Sequence, residues 1–311
     1  MYAIETNKLT KKFKEYTAVG QLDLNVPEGA IYGFLGRNGA GKTTTIKMLT
    51  GLSKPTEGEI LICGKEVKFG SLKNRSDLSF LPDVPNFYDW MKPKEFLKFI
   101  GDLFLIDDKV LKNRIDSILE LVGLHGINKK IGGFSRGMKQ RLGIAQALIN
   151  EPKVIFLDEP TSALDPIGRK DVMDIIMKLS GKVTVFLSSH ILSDIERVCD
   201  RIMIIDEGKE MVEDTIPNLR QKFSHKIVEM ELGEGCDTKE IIDILNEQKW
   251  VETVRVDNLV DIIIHTNDMK AAQVNIPRIL NEKNIALKKF NALEPTLEDI
   301  FMKVVSNTSC V

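Results

Sequence analysis

The chain has 311 residues, 43% of them hydrophobic, with 43 basic against 45 acidic side chains and a formal charge of −2. That apolar share suffices for packed cores and the length allows two domains, whereas the balanced charge argues against nucleic acid as a partner, since such proteins carry a basic excess. No apolar run approaches the roughly 18 residues that span a bilayer, Met1 to Lys14 is dotted with charge where a signal peptide has its apolar centre, and Cys63, Cys199, Cys236 and Cys310 are too scattered for a zinc or redox motif; reduced thiols and an intracellular location are expected.

In chain order, the first strong signal is Ala30 to Leu35, a short apolar run suited to a buried strand. It runs into Gly36-Arg37-Asn38-Gly39-Ala40-Gly41-Lys42-Thr43 and then a helix with Ile46 and Leu49 on one face. Strand, G-x-x-x-x-G-K-[ST] loop and helix together predict a phosphate cradle. The glycines let backbone N–H groups turn toward an anion, and the helix N-terminus adds partial positive charge. Lys42 would reach the β- and γ-phosphates of a nucleoside triphosphate, and the Thr43 hydroxyl would ligate Mg²⁺.

Leu81-Pro82-Asp83 precedes Val84 to Met91, a proline-marked loop holding Phe87, Tyr88 and Trp90. Exposed, these aromatics would form a docking surface; buried, they would be core. Pro93 to Leu124 reads as a helical stretch with Phe96, Leu97, Phe99 and Ile100 on its apolar face. Ser135, in Phe134-Ser135-Arg136-Gly137-Met138, suits the N-cap of the next helix. Val154 to Asp158 is an apolar strand ending in Asp158-Glu159, two carboxylates placed to hold a Mg²⁺ shell and to orient or deprotonate a water. Pro160 to Asp165 follows, and Val183 to Leu187 forms another strand before Ser188-Ser189-His190. A neutral His190 would hydrogen-bond a γ-phosphate.

These segments, in this order over about Ile4 to Val212, resemble the ATP-binding subunits of ABC transporters. The resemblance implies an α/β P-loop NTPase core in a domain at 1–217, with a helical subdomain at about 84–150. It implies ATP and Mg²⁺ as cofactors, with Gly36, Arg37, Asn38, Gly39, Ala40, Gly41, Lys42, Thr43 and Thr44 around the phosphates. Ser135 and Gly137 belong to the signature motif, which faces nucleotide held by a second copy, so a homodimer is expected. Glu159 and His190 would be catalytic, and Thr43, Asp158 and Asp83 would stand near the metal. Phe13 falls where a ring stacks on the base, with Tyr16 as the alternative, and either can also be core. A separate integral membrane permease would be the other partner, placing the chain on the inner face of the cell membrane and powering export.

Two departures stand out. Where the family commonly has Leu-Ser-Gly-Gly-Gln, this chain has Phe134-Ser135-Arg136-Gly137-Met138, so Arg136 either adds charge near phosphate or points to solvent. Asp83 replaces a usual Gln and is shorter and unable to donate as an amide does, which puts its catalytic part in doubt.

Pro217 and the polar run Asn218 to Lys226 read as a linker. Beyond it the pattern predicts strand Ile227–Leu232, helix Thr238–Lys249, strands Val251–Val256 and Val260–His265, helix Met269–Glu282 interrupted by Pro277, and strand Ala286–Phe290. That order is a small α+β ferredoxin-like domain at 218–311. A last helix starts near Thr296, with Asp299 three residues on. The domain resembles the accessory C-terminal domain of exporter ATPases, regulatory or dimer-stabilising. Two rival readings remain: a soluble ABC ATPase acting on ribosomes or DNA, which usually carries two nucleotide domains, and a non-hydrolysing binding module, against which Lys42, Asp158, Glu159 and His190 argue.

Overall fold

The computed structural model describes residues 1–71, 76–223, 226–233, 238–257, 261–293 and 295–306; Cys236, Val260 and Cys310 lie outside the described residues. Contacts divide the chain into one unit of Met1–Ile216, joined by the end of the last helix from Val304, and a second of Pro217–Lys303.

In the first unit, β1 (Tyr2–Phe13) and β2 (Tyr16–Pro27) form a hairpin, β3 (Ile31–Leu35) runs through the core, and α1 (Lys42–Leu49) follows. Strands β4 (Glu57–Ile62) and β5 (Lys65–Glu66) then complete an antiparallel sheet of order β2-β1-β4-β5. Among the strands expected from the sequence, none belongs to this sheet. Its pairing of β1 with β2 shifts register four times between Tyr2 and Lys12, and each bulge breaks the two-residue alternation by which a half-buried strand is recognised.

The chain continues through β6 (Leu78–Leu81), α2 (Pro93–Leu103), α3 (Asp108–Leu121), α4 (Arg136–Leu148), β7 (Val154–Asp158), α5 (Pro166–Met177), β8 (Thr184–Ser189), α6 (Leu192–Val198), β9 (Arg201–Asp206) and β10 (Lys209–Thr215). Six strands form a sheet of order β10-β9-β3-β8-β7-β6, parallel except for the β9–β10 pair. Every residue of β3, β7 and β8 is buried. Such continuous burial belongs to central strands covered on both faces. Tyr32, Phe34 and Phe156 gather around Phe186 at ring separations of 5.1–5.6 Å.

The stretch expected as one helical segment from Pro93 to Leu124 is two helices. Leu105 has φ 57°, a left-handed backbone that an α-helix cannot accommodate, and the Asp107 carboxylate accepts from the N–H groups of Lys109 and Val110 to start α3. In the aromatic loop, Phe87 packs edge-on against Phe96 at 5.2 Å and Tyr88 against Phe99 at 5.6 Å, while the Trp90 ring is exposed.

The second unit follows α7 (Ile216–Lys222) with β11 (Ile227–Leu232), α8 (Thr238–Asn246), β12 (Val251–Asp257), β13 (Asp261–Thr266), α9 (Met269–Glu282), β14 (Leu287–Leu293) and, up to Lys303, α10 (Leu297–Ser306). Its sheet has order β12-β13-β11-β14 with every pair antiparallel, the ferredoxin-like arrangement. Val228, Met230, Ile262 and Ile264 pack beneath Ile241, Leu245, Ile276 and Leu280 of the two helices. Pro277 lies inside α9 without ending it. Thr296 and Asp299 exchange hydrogen bonds at the start of α10, the Asp299 N–H donating to Thr296 Oγ1 at 3.2 Å and the Thr296 N–H to Asp299 Oδ2 at 2.9 Å. No helix of the described residues is long and apolar enough to cross a membrane.

Candidate active site

The parallel register brings three strand ends together: Leu35 lies opposite Ser189, and Asp158 opposite Ser188. The carboxyl edge of an open α/β sheet is where such folds bind ligands. Here it opens into a cleft of 540 Å³, in which the phosphate-loop residues Arg37 to Gly39 and Gly41 to Thr44 face Phe13, Tyr16, Asp83, Glu159 and His190.

The loop closes tightly because its glycines permit it. A Cβ on Gly36 would lie 2.6 Å from the Ile205 carbonyl oxygen, and one on Gly41, at φ 103°, would lie 2.5 Å from that of Ala18. Gly36 and Ala40 are buried and do not line the cleft, unlike the rest of the loop. The Lys42 ammonium is buried, donating to the carbonyl oxygens of Gly36 at 2.7 Å and Arg37 at 3.3 Å, and it stands 3.2 Å from Glu159 Oε1.

Glu159 is held on all sides. Its φ of 48° is left-handed, a conformation that costs a non-glycine residue about 1–3 kcal/mol. Offsetting that, its N–H donates to Ser188, reaching the carbonyl oxygen at 3.1 Å and Oγ at 3.0 Å. The second carboxylate oxygen lies 2.7 Å from His190 Nδ1. Asp158 is 3% exposed and accepts from the Ser188 hydroxyl at 2.6 Å. One serine thus positions both carboxylates.

The donor set fits a nucleotide with Mg²⁺. A buried ammonium and an open cradle of N–H groups suit phosphates. Among the described residues no group of three His, Cys, Asp or Glu side chains is arranged to hold a metal. The hard oxygens of Thr43 and Asp158 match the sparse protein ligation that Mg²⁺ takes when phosphates supply other ligands.

Ser135 and Gly137 do not line this cleft. Ser135 caps α4, its Oγ accepting from the Met138 N–H at 3.2 Å, and a Cβ on Gly137 would meet only Gly168, at 3.6 Å. Phe13 and Tyr16 are both exposed, paired across the β1–β2 turn at the cleft wall rather than in the core.

Ser188, Thr161 and Asp194 escape sequence reasoning. The Thr161 hydroxyl donates to Asp194 Oδ2 at 2.7 Å, both groups buried, and Arg169 Nε lies 3.8 Å from the same oxygen. This pins the turn that follows Glu159. The available signal is Ser188-Ser189 directly after the apolar run Val185 to Leu187, since a polar residue buried there needs a partner.

An ABC transporter family profile matches residues 19–162, and a profile described as ATP-binding protein DrrA1-3-like, C-terminal domain, matches 215–305. The bacitracin transport ATP-binding protein BcrA of Bacillus licheniformis is 39% identical over 97% of both chains. The ABC transporter ATP-binding protein YxlF of Bacillus subtilis strain 168 is 36% identical over 98% of this chain and 99% of its own. A solved dimeric ATP-binding cassette in a post-hydrolysis state, bound to ADP and Pi, superposes with a TM-score of 0.61 at 27% identity, covering 68% of this chain and 98% of that one. A phosphate loop and two hydrogen-bonded carboxylates at the carboxyl edge of one sheet, together with full-length relatedness, place this chain among the ATP-binding subunits of ABC transporters, ATPases that dimerise and pair with membrane permease subunits.

Proposed function

We propose that the chain binds ATP with Mg²⁺ in this cleft and hydrolyses it to drive export through a separate permease, working as a homodimer on the inner face of the cell membrane. The observation that carries the site assignment is the convergence of Lys42, the adjacent Asp158 and Glu159, and His190 from three separate segments at one sheet edge. Lys42 and the loop N–H groups hold the β- and γ-phosphates. Thr43 and Asp158 hold Mg²⁺, which when bound neutralises charge developing on the phosphates. Glu159 accepts the proton of the attacking water, and His190, hydrogen-bonded to it, contacts the γ-phosphate. Asp83 stands at the cleft wall near the metal, Phe13 stacks on the base, and Ser135 and Gly137 face the nucleotide of the second copy. The nucleotide domain spans 1–217, with its helical subdomain at about 84–150, and residues 218–311 are an accessory domain that regulates or steadies the dimer. Relatedness to two bacitracin transport proteins supports export as the direction.

The test is Glu159→Gln in the full chain. The amide keeps the volume but takes no proton, so turnover should fall by about 10²–10⁴-fold, the usual worth of a general base, while ATP binding persists and an ATP-bound dimer accumulates in light scattering. Turnover close to that of the unaltered chain removes Glu159 from the role.

A further inference from the structure

Two of the positions at which this chain departs from the family pattern, Asp83 and Arg136, face each other. Asp83 follows β6 and lines the nucleotide cleft. Arg136 is the first residue of α4, directly after the capping Ser135. Arg136 Nη2 lies 3.9 Å from Asp83 Oδ1, and that oxygen is buried without a hydrogen bond although the side chain as a whole is 43% exposed. A buried carboxylate oxygen that accepts nothing is costly, and the guanidinium is the cation placed to satisfy it after a shift of about 1 Å, the difference between this separation and a charge-assisted hydrogen bond.

The surrounding contacts show why so small a shift matters. The loop from Pro82 to Lys92 is attached along its length to the signature segment: the Gly132 N–H donates to the Asp89 carbonyl oxygen at 3.0 Å, the Ile131 N–H to that of Met91 at 2.9 Å, and Lys139 Nζ stands 3.3 Å from the Asp89 carboxylate. At the near end a Cβ on Gly143 would come within 2.5 Å of Leu81 and 3.6 Å of Pro85, so α4 lies directly against the end of β6. Loop and helix are therefore one mechanical piece. Of these contacts, Asp83–Arg136 is the one that includes a residue lining the cleft.

We propose that Arg136 is the positioning residue for Asp83. Its guanidinium holds the carboxylate at the cleft wall, so that a displacement of Asp83 during turnover is passed to the N-terminus of α4, and with it to Ser135 and Gly137. The pair places opposite charges at two positions where the resembling family commonly has an amide and a glycine. This inference rests on the cleft being the ATP site.

A double-mutant cycle on the full chain tests it: Asp83→Asn, Arg136→Gln, both together, and Arg136→Lys, with kcat and KM for ATP hydrolysis measured for each. A half-exposed pair is worth little, so Arg136→Gln should lower kcat by about three- to fivefold with KM within twofold. Adding Asp83→Asn should cost nothing more, Arg136→Lys should recover most of the rate, and the coupling should shrink in 0.5 M salt, where charges are screened beyond about 4 Å. Independent effects that multiply, or full activity in Arg136→Gln, overturn the proposal. Lys42→Ala, run alongside with a fluorescent ATP analogue, reports on the cleft itself: if it loses binding while the cycle shows no coupling, the positioning role falls and the ATP site stands.

Discussion

The two units meet the same folding problem, a sheet covered by helices, but differ in what they bury. In the nucleotide unit the core is interrupted by polar groups, with Lys42, Asp158, Thr161, Ser188, Ser189 and Asp194 all buried close to one sheet edge, and Glu159 and Ala163 hold left-handed backbones beside them. Among the described residues of the second unit, Thr266 is the one buried polar side chain and Asn284 the one non-glycine residue at positive φ. Its surface charges pair as Lys283–Glu240, Lys288–Glu231 and Lys289–Glu229 on exposed faces, contacts that contribute at most about 1 kcal/mol each. Buried polar groups and strained backbones cost free energy, and a fold retains them where chemistry needs them. The contrast assigns catalysis to one unit and packing to the other.

The largest expected effect tests the polar half of that contrast. Lys42 is the only buried cation facing the cleft among the described residues, and Lys42→Ala removes the charge that reaches the phosphates while leaving Glu159 without its ion-pair partner. ATP affinity should fall by more than about 100-fold, the worth of a buried charge-assisted contact. Isothermal titration calorimetry on the variant checks this, and unchanged affinity would sink the phosphate-loop assignment.

How far sequence could lead follows from the same geometry. The phosphate cradle is legible because it is local: one strand, eight loop residues and one helix carry it. The second unit is legible too, since each strand and helix keeps its own period, and Pro277 misleads only by suggesting a break that α9 does not make. Ser188 to Asp158 and Thr161 to Asp194 are not legible, because these bonds join residues 30 and 33 positions apart and no local pattern marks them. The bulged β1–β2 sheet is missed for the opposite reason. Its signal is local, but the register shifts scramble it.

The packing half of the contrast predicts a separate outcome. Leu280 is 2% exposed in the core of the second unit, and Leu280→Ala should destabilise that unit by about 2–5 kcal/mol, the transfer and cavity cost of losing a buried leucine side chain. Among the described residues none of this unit lines the cleft, so ATP affinity should hold. Urea unfolding followed by Trp250 fluorescence reads the first, and nucleotide titration the second. A loss of ATP affinity in the folded variant would mean that the units do not divide their labour in this way.

The smallest effect sharpens the border between chemistry and packing at the cleft wall, where a large apolar ring stands exposed. Phe13 is 52% and Tyr16 59% exposed, facing each other across the hairpin turn, and a fold gains nothing by leaving two rings in water unless something covers them. Lys11 Nζ sits 5.0 Å from the centre of the Phe13 ring, so a cation already occupies one face. A purine would take the other. Stacking of this kind is worth about 1 kcal/mol, so Phe13→Ala should weaken ATP binding by roughly fivefold, and Tyr16→Ala by less. Inorganic tripolyphosphate, which has the phosphates and no base, provides the control. Its affinity should be the same in Phe13→Ala and in the unaltered chain, because the ring makes no contribution to phosphate binding. Equal losses for ATP and tripolyphosphate would show that Phe13 shapes the loop rather than reads the base, and a greater loss of ATP affinity in Tyr16→Ala than in Phe13→Ala would transfer the stacking role to the other ring of the pair.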